Sequence, residues 1–297
     1  MNKKYRSIVS ICVVFVVAYY GLTSYASDVA RARIDAAVAK QGGKVQYKKV
    51  SYNLFTRQTT IRDISIQPPG VATLTHIDEI IVRRIDMDSP RPTFLAMDLR
   101  GFKFDPAVLG PTGAAAFAGL GYTGPLSLDI SLDYDCLLEK REVTIHSRYE
   151  AKDVGALRLS LRCGNIDYPS GGKPVLDSSG GKLVLSPDIL AKITMQQAEL
   201  AYVDASLMER ILKRVAAQGG LDVPTLKKSL VAQSEAFWQQ SKIPHAADIA
   251  AAFKSFIENP RQLTFSMNPA TPVPLGAIIK ANSPATIANL LNLQVKS

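Results

Sequence analysis

Three neighbouring segments of the sequence alternate apolar and polar side chains with a strict period of two. They cover residues 126–135, 143–150 and 156–163. Successive side chains of a β-strand point to opposite faces, so the pattern predicts three strands, each with one buried and one solvated face. The short polar connections between the segments predict an antiparallel arrangement. We therefore expect an antiparallel sheet at the centre of the fold.

Further strands are predicted before these segments, and helices after them. Shorter alternating runs lie between residues 45 and 104, with prolines at the turns. In the C-terminal third the apolar period changes to that of helices, at residues 206–217, 224–240 and 245–258. Asn259-Pro260 is expected to end the last of these.

The N-terminus predicts a membrane helix. Residues 7–27 carry no charged side chain and follow the cations Lys3, Lys4 and Arg6. At about 1.5 Å per residue they form roughly 31 Å of helix, enough to cross a bilayer. The preceding cations favour a cytoplasmic N-terminus, with the bulk of the protein on the other side. A cleaved signal peptide is the alternative, because Ser24-Tyr25-Ala26 offers the small residues that a signal peptidase requires.

The domain organisation follows from these segments. We predict an anchor or uncleaved signal at residues 1–26, a sheet domain with a leading helix at 27–165, and a part dominated by helices at 182–297. The stretch between the last two is rich in Gly, Pro, Ser and Asp, which is typical of a loop or linker.

The motifs of common enzymes and metal sites are missing from the sequence. The three histidines, His76, His146 and His245, lie far apart and in no metal-ligand spacing. Residues 119–124 read GLGYTG and match GxGxxG, but a strand rather than a helix is predicted to follow, which excludes a dinucleotide fingerprint. The net charge of +9 is not concentrated in one region, which disfavours nucleic-acid binding. We therefore predict a non-catalytic protein without cofactor or metal.

Two features of the predicted sheet are candidates for a metal site and for a disulfide. The carboxylates of Asp129, Asp133 and Asp135 point in parallel from one strand, where alternate positions are about 7 Å apart, so they cannot chelate one ion and instead suggest a charge ladder. Cys136 and Cys163 lie two strands apart, roughly 9.6 Å, whereas a disulfide needs about 5.5 Å between Cα atoms. Free buried thiols are favoured, and pairing stays open.

The opening of the chain resembles AsmA-like bacterial envelope proteins. The resemblance rests on the membrane helix, on VQYKKVSYNLFTRQTTIRDISIQPP at residues 45–69 and on HIDEIIVRRID at residues 76–86. It implies a single-pass inner-membrane protein with a curved periplasmic sheet whose concave face is apolar, associated with phospholipid handling. This chain is short for that family and has a helical C-terminal third. No functional residue is carried over from it.

The expected fold class is therefore α+β: an N-terminal transmembrane helix, a curved antiparallel sheet and a small C-terminal helical unit. The expected function is that of a membrane-anchored periplasmic lipid-binding or lipid-handling module, with phospholipid and the inner membrane as partners. The side chains expected to face lipid, or else to form a packed core, are Leu128, Ile130, Leu132, Ile145 and Leu159. The alternative is an envelope scaffold that binds a protein partner through its helical C-terminal third.

Overall fold

The computed structural model describes residues 24–32, 44–67, 75–86, 93–166, 191–241 and 243–297. Twelve strands are described: β1 Lys44–Gln46, β2 Lys49–Asn53, β3 Gln58–Gln67, β4 Thr75–Ile85, β5 Phe94–Phe104, β6 Leu126–Leu137, β7 Glu142–Ala151, β8 Gly155–Gly164, β9 Thr194–Asp204, β10 Gln262–Met267, β11 Val273–Pro274 and β12 Leu293–Lys296. The helices with described bounds are α1 Gly110–Gly119, α2 Leu207–Gln218, α3 Val223–Gln240, α4 Ala246–Glu258, α5 Leu275–Lys280 and α6 Pro284–Leu291. Residues 24–32 are also helical.

The strands pair in the order β1-β3-β4-β5-β6-β7-β8-β9-β10-β12, with β2 also on β3 and β11 also on β9. The chain divides into two compact units. The first reaches to Phe104 and includes Ser127–Ile130, and the second contains Asp105–Leu126 and Ser131–Ser297. The strand β6 thus contributes residues to both units.

The predicted transmembrane helix is contradicted. Most of the segment concerned, residues 7–27, lies outside the described residues. Among the residues that are described, no helix combines the length and the apolar character that crossing a bilayer requires. The helical residues 24–32 include Asp28 and Arg31, and the longest described helix, α3, is rich in Lys, Ser and Gln. The expected single-pass inner-membrane topology with a periplasmic bulk is corrected accordingly.

The predicted small C-terminal helical unit is also corrected. Helices α2, α3 and α4 do follow one another, but β9 precedes them and β10, β11 and β12 come after them. These four strands belong to the same sheet as the strands that come before them in the chain. Of these, β11 and β12 have two and four residues, too few for an alternation pattern to be recognised, whereas extended segments at residues 192–202 and 262–267 are predicted from the sequence.

Local capping chemistry explains where two of the helices begin. At α3 the Asp222 carboxylate accepts from the Thr225 N–H at 2.6 Å, and at α6 the Ser283 hydroxyl accepts from the Thr286 N–H at 3.1 Å. Each cap is followed by a proline in the first turn, where its missing N–H costs nothing.

The first unit has a small core of branched aliphatic side chains. Ile61, Ile64 and Ile77 are buried and pack against half-buried neighbours on β1 to β5. At one point β5 comes close to the carboxylates of two other strands. Gly101 has φ +64°, and its N–H donates to the Asp129 carboxylate at 2.8 Å. A Cβ at Gly101 would overlap the Asp78 carboxylate.

The second unit has its main core where helices cover the sheet. Ile249, Ala252 and Phe256 of α4 pack against Leu263 of β10 and Val295 of β12. A smaller cluster holds α2 to α3 through Leu212, Ala216 and Leu226, with Val223 and Leu230 packed against it.

Replacing Gly101 with alanine should destabilise the first unit. The left-handed backbone alone costs about 1–2 kcal/mol for an L-residue, and the overlap with Asp78 adds to that. We expect a lower urea midpoint for Gly101→Ala than for Gly220→Ala, since Gly220 has the same φ of +64° but open space around its Cβ. Adding Asp78→Ala should recover part of the difference. Equal midpoints for the two single variants would contradict this account.

Replacing Ile249 with alanine should destabilise the second unit strongly. Its side chain is completely buried, whereas that of Ile279 is 66% exposed. We expect a loss of about 2–5 kcal/mol in unfolding free energy for Ile249→Ala and less than about 0.5 kcal/mol for the matched Ile279→Ala. Chemical denaturation of both variants measures the difference, and similar losses would show that α4 is not the core element described here.

Candidate functional site

In the second unit, one side of β7, β8, β9 and β10 is mainly apolar, and we call this surface the apolar face. Its side chains form rows that run across the four strands. Antiparallel register places Ile145 opposite Leu161, Ser147 opposite Leu159, and Tyr149 opposite Leu157. Across the next two pairings each row continues, as Leu161–Ala198–Met267, Leu159–Leu200–Phe265 and Leu157–Tyr202–Leu263. Since partners opposite one another share a face, these side chains lie on one side of the sheet.

Helices cover one end of the apolar face. At β10 and β12 it forms the core with α4, and Trp238, Phe253 and Phe265 pack around that core as half-buried aromatic side chains. The rings of Trp238 and Phe253 stack at 5.5 Å between centroids. This end of the face is therefore a packed core rather than a groove.

The other end of the apolar face, on β7 and β8, is partly exposed. Tyr149 is 43% exposed and Leu157 is 38% exposed, while Ile145, Leu159 and Leu161 are half-buried. A buried apolar side chain is normally stabilised by contacts on all sides. This end therefore offers apolar surface that the described elements leave incompletely covered.

The five side chains predicted to face lipid all have intermediate burial: Leu128, Ile130, Leu132, Ile145 and Leu159. Leu128 and Ile130 belong to the first unit, whereas the other three belong to the second. Ile145 and Leu159 lie on the exposed end of the apolar face, in adjacent rows. Their role as ligand contacts stays a prediction.

Ser147 is the polar residue in the middle of this apolar end. It is 7% exposed, and its Oγ has no hydrogen-bond partner among the described residues. Leaving a buried hydroxyl without a partner costs about 1–3 kcal/mol. The sequence carries a signal for this residue, since Ser147 occupies an apolar position in the alternation of its strand.

The rim of the apolar face near the β7–β8 turn is polar. The Tyr202 hydroxyl donates to the Asp204 carboxylate at 2.6 Å, and the same carboxylate accepts from the Met208 N–H at the start of α2. Burial, and then the negative charge of Asp204, raise the pKa of Tyr202 far above its usual value. Tyr202 therefore stays a neutral hydrogen-bond donor throughout the physiological range.

The charged side chains on the opposite, polar face form ion pairs that differ from the charge ladder expected from the sequence. Asp129 binds the Gly101 backbone, as described above. Arg148 pairs with Glu150 on its own strand at 2.6 Å, and Arg162 pairs with Glu142 at 2.7 Å. The Arg162 guanidinium holds the pKa of Glu142 below its usual value. These contacts organise a solvated surface rather than a site for a metal or for acid/base chemistry.

Cys136 and Cys163 are free buried thiols, as the distance argument favoured. Burial raises the pKa of Cys163. A raised pKa keeps the sulfur in the thiol form, which is a poor nucleophile. Cys163 therefore contributes no activated group to the candidate site.

The first unit brings together four polar side chains that sequence spacing did not connect. The Lys103 ammonium donates to Ser127 and to Asp78, both at 3.3 Å, and Asp78 lies 3.2 Å from His76. A serine nucleophile needs a base that accepts its proton, whereas Lys103 here acts as the donor to Ser127. The Asp78 side chain is also about half exposed to water. In the described part of the chain, no group of three or more His, Cys, Asp or Glu side chains is arranged to hold a metal.

The glycines of the GLGYTG motif contact two arginines of α2. Arg210 Nη1 donates to the Leu120 carbonyl at 3.0 Å, and Arg214 Nη1 donates to the Ala116 carbonyl at 2.8 Å. A Cβ at Gly119 would overlap the Arg214 guanidinium, and one at Gly121 would crowd Arg210. The motif therefore gives guanidinium groups close access to the C-terminus of α1.

Comparisons with known proteins give a family for the C-terminal half. No curated protein matches the chain. The sequence model of a protein family described as "Uncharacterized protein" matches residues 148–297, which begin within β7 and include β8 to β12 and α2 to α6. Because the match covers half of the chain, the protein belongs to this family.

Proposed function

We propose that this chain is a non-catalytic binding protein that holds the hydrocarbon part of a lipid-like ligand against the exposed end of its apolar face. The observation that carries the proposal is the exposure of Tyr149 and Leu157 in rows that continue directly into a packed core. On β10, by contrast, the side chain in the same row, Leu263, is covered by α4.

The size of the exposed end favours a narrow ligand over a protein. From Ile145 to Tyr149 the strand advances four residues, about 14 Å, and two strands are about 10 Å wide. This gives roughly 140 Å² of surface, whereas a stable protein interface buries about 800 Å² on each partner. A single hydrocarbon chain fits this area.

The expected affinity is modest. Covering about 140 Å² on the protein and a similar area on the ligand stabilises the complex by about 7 kcal/mol at 25 cal/mol per Å². Loss of translational and rotational freedom on association offsets part of this. We therefore expect a dissociation constant of about 10 µM to 1 mM for a simple fatty acid.

A binding assay with a long-chain fatty acid tests this proposal. We expect oleate to bind the wild-type chain in isothermal titration calorimetry, and Leu157→Ser to weaken binding about tenfold, because it removes about 1.4 kcal/mol or more of apolar contact. Tyr149→Ser should act in the same direction.

Leu138→Ser is the matched control, since Leu138 is an exposed leucine in the turn after β6 and outside the apolar face. It should leave the oleate affinity unchanged. The proposal fails if oleate does not bind, or if Leu157→Ser and Leu138→Ser bind it as the wild type does.

A second candidate function is partner binding through the helices, and it is supported by Phe237. This side chain is 64% exposed and contacts Trp238 at 5.0 Å between ring centroids. Exposed aromatic side chains backed by a packed cluster are typical anchors of protein interfaces.

Photocrosslinking tests the second candidate. A benzophenone amino acid at position 237 should capture one defined protein in cells, and that protein as bait should recover this chain in return. The same amino acid at position 55 is the control, because Phe55 is 83% exposed but lies in the first unit. Equal capture from both positions, or failure of the reciprocal experiment, would exclude a specific role for Phe237.

A further inference from the structure

A shallow cleft in the second unit is lined by three cations. Its volume is about 570 Å³, and it lies between the end of α1 and the outer side of α2. The residues that line it are Gly119, Leu120, Arg210, Lys213, Arg214, Ala217 and Gln218. Two of these, Gly119 and Leu120, belong to the GLGYTG stretch whose dinucleotide function the sequence order excluded.

The two arginines are held in place by uncharged groups. Besides its bond to Leu120, Arg210 donates from Nε to the Ser206 hydroxyl at 3.1 Å, and its guanidinium lies 4.6 Å from the centre of the buried Tyr122 ring. Arg214 is fixed by the Ala116 carbonyl. Guanidinium groups ordered in this way lose little side-chain entropy when they bind an anion.

Positive charge in the cleft exceeds what its neighbours neutralise. Among the described residues, no carboxylate pairs with Arg210 or Arg214, and Lys213 pairs with Glu209 on the exposed side of α2 at 2.5 Å. The partial negative charge at the C-terminus of α1 offsets about half a unit. Arg210 and Arg214 are also like charges at i and i+4, which repel one another in a helix.

Capping of α1 does not use all the donors in the cleft. A guanidinium has five N–H donors in a planar fork, and the contacts described above use two from Arg210 and one from Arg214. The remaining donors suit the oxygens of a phosphate group, which arginine binds with paired hydrogen bonds. Leu120 and Ala217 add an apolar wall, and water screens a hydrogen bond between arginine and phosphate less strongly next to such a wall.

From these contacts we propose that the Arg210–Lys213–Arg214 cleft binds the phosphate group of a ligand. The ligand is either a soluble phosphate compound or the headgroup of a phospholipid, and both present the same oxygens to the cleft. This site is separate from the apolar face and does not depend on the function proposed for that face.

Titration of the full chain with two probes tests the proposal. Inorganic phosphate and a short-chain phosphatidic acid below its micellar concentration are each added at low salt. We expect both to bind, and binding to weaken as sodium chloride is raised from 20 to 200 mM because exposed charges are screened. Phosphatidic acid that binds more than about tenfold tighter than phosphate, also in Leu157→Ser, whose apolar face is impaired, identifies the lipid headgroup as the natural source, and equal affinities identify a soluble phosphate.

Charge-removing variants locate the site. Lys213→Gln leaves the contacts of Arg210 and Arg214 with the end of α1 intact and should weaken phosphate binding several-fold, and the double variant with Arg214→Gln should weaken it about tenfold or more. If Arg214 is replaced by lysine instead of glutamine in the double variant, only part of the lost phosphate affinity should return, because an ammonium lacks the planar fork of donors. Lys228→Gln removes the same charge from an exposed position on α3 and should have no effect.

Either of two results would overturn the proposal. If neither probe binds below 10 mM, or if Lys213→Gln and Lys228→Gln have the same affinity for phosphate, the arginines serve only to hold α1 against α2. Thermal unfolding of each variant without ligand shows that the comparison is made between folded proteins.

Discussion

The register of β7, β8, β9 and β10 is the constraint on which the second unit depends. Because side chains alternate across a strand, a slip of one residue would transfer every apolar side chain of that strand to the polar face. The observed pairing of Leu159 with Leu200, and of Leu200 with Phe265, keeps the apolar rows in line as far as the helical cover. The core beneath α4 and the exposed apolar end on β7 and β8 both follow from this single alignment.

Hydrogen bonds from side chains to backbone provide a second constraint, this time between helices. Arg210 and Arg214 reach carbonyls at the end of α1 that are 90 and 98 residues away in sequence. The last carbonyls of a helix have no partner within it, so external donors are needed there. One pair of side chains, four residues apart on α2, thus joins α1 to the helical part of the second unit.

The sequence was most informative where one physical rule dominated. Strict alternation located residues 126–135, 143–150 and 156–163, and the strands observed there are β6, β7 and β8. The helix predicted at residues 224–240 is observed as α3 Val223–Gln240, and its start is set locally by the Asp222 cap. The predicted membrane helix is contradicted, since no helix among the described residues is long and apolar enough to cross a bilayer. The cationic cleft could not be foreseen, because its glycines and arginines meet only in the folded chain. Ser147 could have been noticed, since a serine at an apolar position of a regular pattern is visible in the sequence itself.

The strand order ends at β12, which is four residues long and finishes with Lys296. An edge strand presents unpaired backbone groups to any other extended chain, and natural sheets limit this by keeping such strands short and placing lysine on them. In β12, Val295 faces the core while Gln294 and Lys296 alternate with it. At this end of the strand order, the short length of β12 and the presence of Lys296 therefore disfavour growth of the sheet by edge-to-edge association, which is the route to fibrous aggregates.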